Sequence, residues 1–114
     1  MATNGVLSIV QDGKTLMRLT AGFNGYEAPV LRSEIESNIA IATDPKAVFE
    51  LAQKLGFGCK ECLVLLFNDG SEYLYDDGEL SEREHKNLMC NFDNPEWNAR
   101  CSTGYADYVE VIHI

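Results

Sequence analysis

A chain of 114 residues has room for one domain with one core, and a hydrophobic fraction of 46% excludes a disordered chain. Its net charge of −9, from 18 acidic and 9 basic residues, argues against a nonspecific hold on phosphate backbones or anionic membranes. The expectation is one domain over residues 1–114, with no direct nucleic-acid binding and no membrane contact. The same acidity serves solubility, and it would also suit a protein that offers carboxylates to a nucleic-acid-binding partner.

Met1-Ala2-Thr3-Asn4-Gly5 has no basic stretch followed by an apolar core, so it does not read as a secretory leader. The longest apolar run, Leu63 to Phe67, is far too short to span a bilayer. A cytoplasmic location follows as the expectation. The four cysteines, Cys59, Cys62, Cys90 and Cys101, are then expected to be reduced unless a metal holds them.

In chain order, Val6 to Val10 reads as a strand. Asp12-Gly13 is a strong hairpin signal, and Thr15 to Ala21 is the return strand, with Leu16, Arg18 and Thr20 making one face more polar. Gly22-Phe23-Asn24-Gly25-Tyr26 is a turn-rich loop. Ala28-Pro29 opens a helix on which Val30, Leu31, Ile35 and Ile39 share a face. A second helix starts at Thr43 or Asp44 with Pro45 near its first position. Gly56 stops it, and Val48, Leu51, Ala52 and Leu55 form its buried stripe.

Leu63 to Phe67 is apolar throughout, as in a strand buried on both faces. Asn68-Asp69-Gly70-Ser71 turns the chain into a short return strand, Glu72 to Tyr75. Residues 76–104 are polar and irregular, apart from a short helix that the Ser81–Glu84 capping box starts and that runs to about Cys90. Tyr105 to Ile114 alternates as a strand, which could form a dimer edge or that of a higher homo-oligomer. The predicted fold is α+β: a mainly antiparallel sheet of about five strands, built from two hairpins plus a C-terminal strand, with two to three helices on one face.

Three segments carry candidate chemistry. Cys59 and Cys62 have the spacing at which two thiolates reach one zinc ion, and Cys90 and Cys101 would complete four ligands. The second pair has ten residues between its members, which is not a standard ribbon or knuckle spacing. The reading carried forward is therefore no cofactor, with a small zinc-stabilised interaction module as the alternative. In the loop 22–26, Phe23 and Tyr26 could stack on a planar ring and Asn24 could donate and accept hydrogen bonds. The opposing reading is a strand-to-helix turn whose aromatics plug the core. In residues 91–100, Phe92, Trp97, Asn98 and Arg100 would suit a base and a phosphate together. The opposing reading is a long loop pinned to the sheet by Phe92 and Trp97.

Catalytic signals are thin. His85 and His113 are the only histidines, and no serine–histidine–acid set suggests itself. A small hydrolase is the minority reading. Asp76, Asp77 and Glu79 form an acidic cluster that reads as a solvated turn or a weak site for a hard cation.

Gly5 to Lys14, running on to Gly22-Phe23-Asn24-Gly25-Tyr26, resembles the opening of small proteins encoded by bacteriophages and prophages, and Phe57 to Val64 resembles a second block of the same kind. The resemblance implies an inhibitor of host defence in the host-cell cytoplasm. One such kind, exemplified by Thoeris anti-defence proteins, forms oligomers that sequester a cyclic nucleotide signal without cleaving it. Another is the acidic anti-CRISPR kind, which occupies a nucleic-acid site on a host nuclease or CRISPR effector. The reading carried forward is non-enzymatic capture of a small nucleotide-like ligand. It would use Phe92, Trp97 or Tyr26 for stacking, Asn24 or Asn98 for polar contacts, and Arg100, Arg18 or Arg32 for charge.

Overall fold

A computed structural model describes residues 3–58, 63–75, 78–94 and 106–114. Its first hairpin joins β1 (Gly5–Gln11) to β2 (Lys14–Ala21). Asp12 and Gly13 both have positive φ, 51° and 80°. That is the geometry of the two-residue turns whose twist matches the flanking strands. The pairing runs from Gly5↔Ala21 to Gln11↔Lys14, but it slips where Ile9↔Met17 gives way to Val10↔Thr15. Leu16 is the extra residue of this bulge. It joins Met17 in the main core, while Thr15 turns to the opposite face, opposite Val10.

β3 (Leu63–Phe67) lies antiparallel to β2, and β4 (Glu72–Tyr73) lies antiparallel to β3. β5 (Tyr108–His113) runs parallel to β1, from Gly5↔Tyr108 to Val10↔His113. The strand order is β4-β3-β2-β1-β5, so β2 is central and β5 is an edge. The five-stranded, mainly antiparallel α+β sheet expected from the sequence is what forms. The parallel β1–β5 pair adds a long crossover that no hairpin signal announces.

Alternation along the strands builds two apolar clusters. Leu7, Ile9, Met17, Leu19, Leu63 and Leu65 point to one face. There they pack with Leu31 and Ile35 of α1 (Ala28–Ser37), with Val48, Phe49 and Ala52 of α2 (Pro45–Leu55), and with Phe57. Val64 and Leu66 point the other way and pack with Leu80, with Leu88 of α3 (Glu82–Cys90) and with Phe92. Two helices thus cover one face, as expected, and the third covers the other.

The local signals explain the helix starts. Asp44 Oδ1 accepts from the Ala47 amide at 3.3 Å, and Ser81 Oγ accepts from the Glu84 amide at 3.2 Å. The expected stripe of α1 is corrected at two positions. Val30 is 45% exposed because the helix turns Ala28, Leu31 and Ile35 inward, and Ile39 is 53% exposed because α1 ends at Ser37 and Ile39 starts a 3-10 turn beyond it. In α2 the expected Val48 and Ala52 are buried, Phe49 joins them with its ring against those of Tyr73 and Tyr75, and Leu51 and Leu55 are only partly buried. No helix among the described residues is long and apolar enough to cross a membrane.

A close backbone approach ties the start of β1 to the loop before α1. The Gly25 amide donates to the Thr3 carbonyl at 2.8 Å. A Cβ on Gly25 would lie 2.3 Å from backbone atoms of Asn4 and Gly5. Backbone cannot move aside as a flexible side chain does, so Gly25→Ala is expected to cost about 3 kcal/mol by overpacking. Gly13→Ala meets open space and should cost only about 1 kcal/mol, for its positive φ. Urea denaturation of both variants checks this, and equal losses would contradict the close approach.

Candidate functional site

Arg18 sits in the central strand, on the face the sequence marks as polar. That face is not solvated. Arg18 is 2% exposed, Ser8 2% and Thr20 3%. Ser8 is Arg18's register partner on β1, and Leu66 is its partner on β3. The three buried polar side chains therefore form one stripe beside the cluster that α3 covers.

Among the described residues, the guanidinium makes one hydrogen bond, to a residue outside this stripe. Nη1 donates to the carbonyl of Asn91, the residue that caps α3. The same carbonyl also accepts from the Asn94 amide at 3.0 Å, and the partial negative charge at a helix C-terminus suits a cation there. Among the described residues, Arg18 Nε and Nη2, Ser8 Oγ and Thr20 Oγ1 have no hydrogen-bond partner. Burial pushes the Arg18 pKa down to about 10, and the charge of nearby Asp93 acts in the opposite sense. The group remains a cation at neutral pH.

Next to this stripe lies an open cavity of about 400 Å³. Ser8, Val10 and Val111 line it from the sheet, Gly13, Lys14 and Thr15 from the first hairpin, and Asp93 and His113 complete the lining. Each arrives for a local reason. The bulge at Leu16 turns Thr15 onto this face, and the parallel register Val10↔His113 brings His113 beside the hairpin. Phe92, buried in the α3 cluster, pins the turn that carries both the Asn91 carbonyl and Asp93. Arg18 lies behind the lining, next to Ser8, rather than in it.

The residues singled out in the sequence fall in different places. Phe23 and Tyr26 are exposed, at 43% and 49%, and Asn24 takes a left-handed φ of 55° just before a 3-10 turn. They share one loop beside Asn4 and Gly5, at the far end of β1 from the hairpin, about 20 Å along the strand. None of the three lines the cavity. Phe92 is 8% exposed and serves packing, not stacking on a ligand. Arg32 is engaged by Glu36 at 3.2 Å and Glu110 at 3.8 Å, which ties α1 to β5. Trp97, Asn98, Arg100, Cys59, Cys62, Cys101, Asp76 and Asp77 lie outside the described residues. Cys90 is exposed, at the end of α3. No group of three metal-binding side chains occurs among the described residues.

Sequence reasoning missed Ser8, Lys14, Thr15, Asp93 and His113 as neighbours. The available signal was weak: a serine and an arginine, each flanked by apolar residues within a strand. His85, the other histidine, is spoken for. Its Nδ1 lies 3.0 Å from Glu72 Oε2, and Glu72 Oε1 accepts from the Leu80 amide at 3.2 Å, fastening α3 to β4.

A buried arginine short of partners costs stability, and well-packed apolar replacements of buried charges are often neutral or stabilising. Arg18→Met is therefore expected to fold with a stability within about 1 kcal/mol of the parent, or above it. Guanidinium chloride denaturation checks this. A loss above about 3 kcal/mol would make Arg18 a structural clamp for α3 instead of a poised group. Comparison with protein-family models, curated sequences and solved structures returns no match for this chain.

Proposed function

We propose that the chain is a non-enzymatic binding protein that captures a small anionic, nucleotide-like ligand in the cavity beside Arg18. The observation that carries this reading is the buried arginine with two unpaired nitrogens next to an open cavity. Unsatisfied buried polar groups are rare in native proteins, and a functional site is one of the standard reasons for them. The cavity's volume lies in the range that small-molecule sites occupy. Lys14 and His113 at its walls add groups that favour an anion, against one carboxylate, Asp93.

Ser8, His113 and Asp93 line the same space, which raises the hydrolase reading. Ser8 Oγ, however, has no hydrogen-bond partner, and an activated serine needs a base within hydrogen-bond reach. Capture is therefore preferred over turnover. The role in blocking host defence rests on the sequence resemblance alone.

A thermal-shift screen tests the reading, with nucleoside monophosphates, cyclic mononucleotides, cyclic dinucleotides, cyclic ADP-ribose isomers and dicarboxylates as candidates. A ligand present at about 100 times its Kd should stabilise the fold by about 2.7 kcal/mol and raise Tm by several degrees. Arg18→Met should abolish the shift, and mass spectrometry should recover the ligand unchanged. No shift with any anion, or an equal shift in Arg18→Met, would refute the reading.

A further inference from the structure

We infer that the captured group is a singly charged oxyanion, a carboxylate or a phosphodiester, seated on Arg18 and Ser8, and that Asp93 disfavours the doubly charged phosphate monoester. This rests on the binding reading above and goes further, to the chemistry of the ligand's anchor.

Guanidinium geometry supplies the first argument. Nη1 is taken by the Asn91 carbonyl, so Nε and Nη2 are left. Those two nitrogens form the side-on fork of arginine, with parallel N–H bonds that match two oxygens of one carboxylate or phosphate. Ser8 Oγ is the second element. Ser8 lines the cavity and its Oγ is buried and unpartnered, so it is free to donate to an anion that enters beside it. Arg18 is 2% exposed and stands behind the lining, so the anion reaches the fork only when the cavity wall at Ser8 shifts.

Charge supplies the second argument. Arg18 and Lys14 contribute two positive charges near the cavity and Asp93 one negative, which leaves one net positive charge to be met. His113 adds to this only when protonated. A monoanion neutralises the site. A dianion brings a second negative charge beside Asp93, within a protein whose net charge is already −9.

The test is a titration of the full-length chain at pH 8 and low salt, followed by amide and arginine side-chain NMR. Three probes are used: acetate, dimethyl phosphate and methyl phosphate, the last doubly charged because its second ionisation lies near pH 6. At least one of the two monoanions should shift the Ser8 and Asp93 amides and the Arg18 Nε–H signal. It should bind at least roughly fivefold tighter than methyl phosphate, the size of one added contact repulsion in water. The tighter of the two monoanions identifies the source, carboxylate or phosphodiester.

Asp93→Asn should erase the preference. Asp93 is exposed, so this variant should fold normally. Methyl phosphate binding as tightly as both monoanions, or an unchanged preference in Asp93→Asn, would overturn the anchor while leaving capture of anions intact. No response to any of the three probes would overturn both.

Discussion

Burying Arg18 in the central strand removes a cation from water, and a single hydrogen bond to the Asn91 carbonyl compensates for only part of that loss. The rest of the α3 side is arranged around this imbalance. α3 must end where its capping carbonyl meets Nη1. Phe92 must then be buried to hold that turn, and its neighbour Asp93 is thereby placed at the cavity wall and within electrostatic reach of the guanidinium. One helix end thus serves both as a partner for the charge and as a wall of the site.

The two faces of the sheet divide the work. The α1/α2 face is apolar from Leu7 to Ile112 and holds the larger cluster, which gives the fold its stability. The α3 face has a smaller cluster and shares its area with Ser8, Arg18 and Thr20. A domain with one well-filled face can tolerate unsatisfied polar groups on the other, and functional sites are commonly where such costs are found. The bulge at Leu16 sharpens the division, since it gives Leu16 to the core and Thr15 to the cavity with one slip of register.

Surface electrostatics follow a different logic. The exposed ion pairs of Arg32 with Glu36 and Glu110, and the His85–Glu72 contact, join neighbouring elements at solvent-accessible positions. Pairs of that kind add only tenths of a kcal/mol each, so they orient helices more than they stabilise them. The exposed rings of Phe23 and Tyr26 stand on a loop fixed by the Gly5–Gly25 backbone approach, far from the cavity.

What the sequence determined by itself was local. Asp12-Gly13, Asp44-Pro45 and Ser81–Glu84 state their turns and caps through short-range sterics and hydrogen bonds, so the hairpin and the helix starts are legible without a fold. The apolar run Leu63 to Phe67 likewise declares burial on both faces. Which side of each remaining element is inside was less legible, as the exposure of Val30 and Ile39 and the burial of Phe49 and Phe92 make plain. Only the tertiary structure decided the site. The sequence marks the Arg18 face only as the more polar one; strand order, which makes β2 central, and α3, which closes over it, bury Arg18 together with Ser8. His113 and Asp93 come beside the first hairpin through a parallel pairing and a helix end distant in sequence. Long-range pairing is set by the summed burial of the whole chain, and no short stretch of residues encodes it.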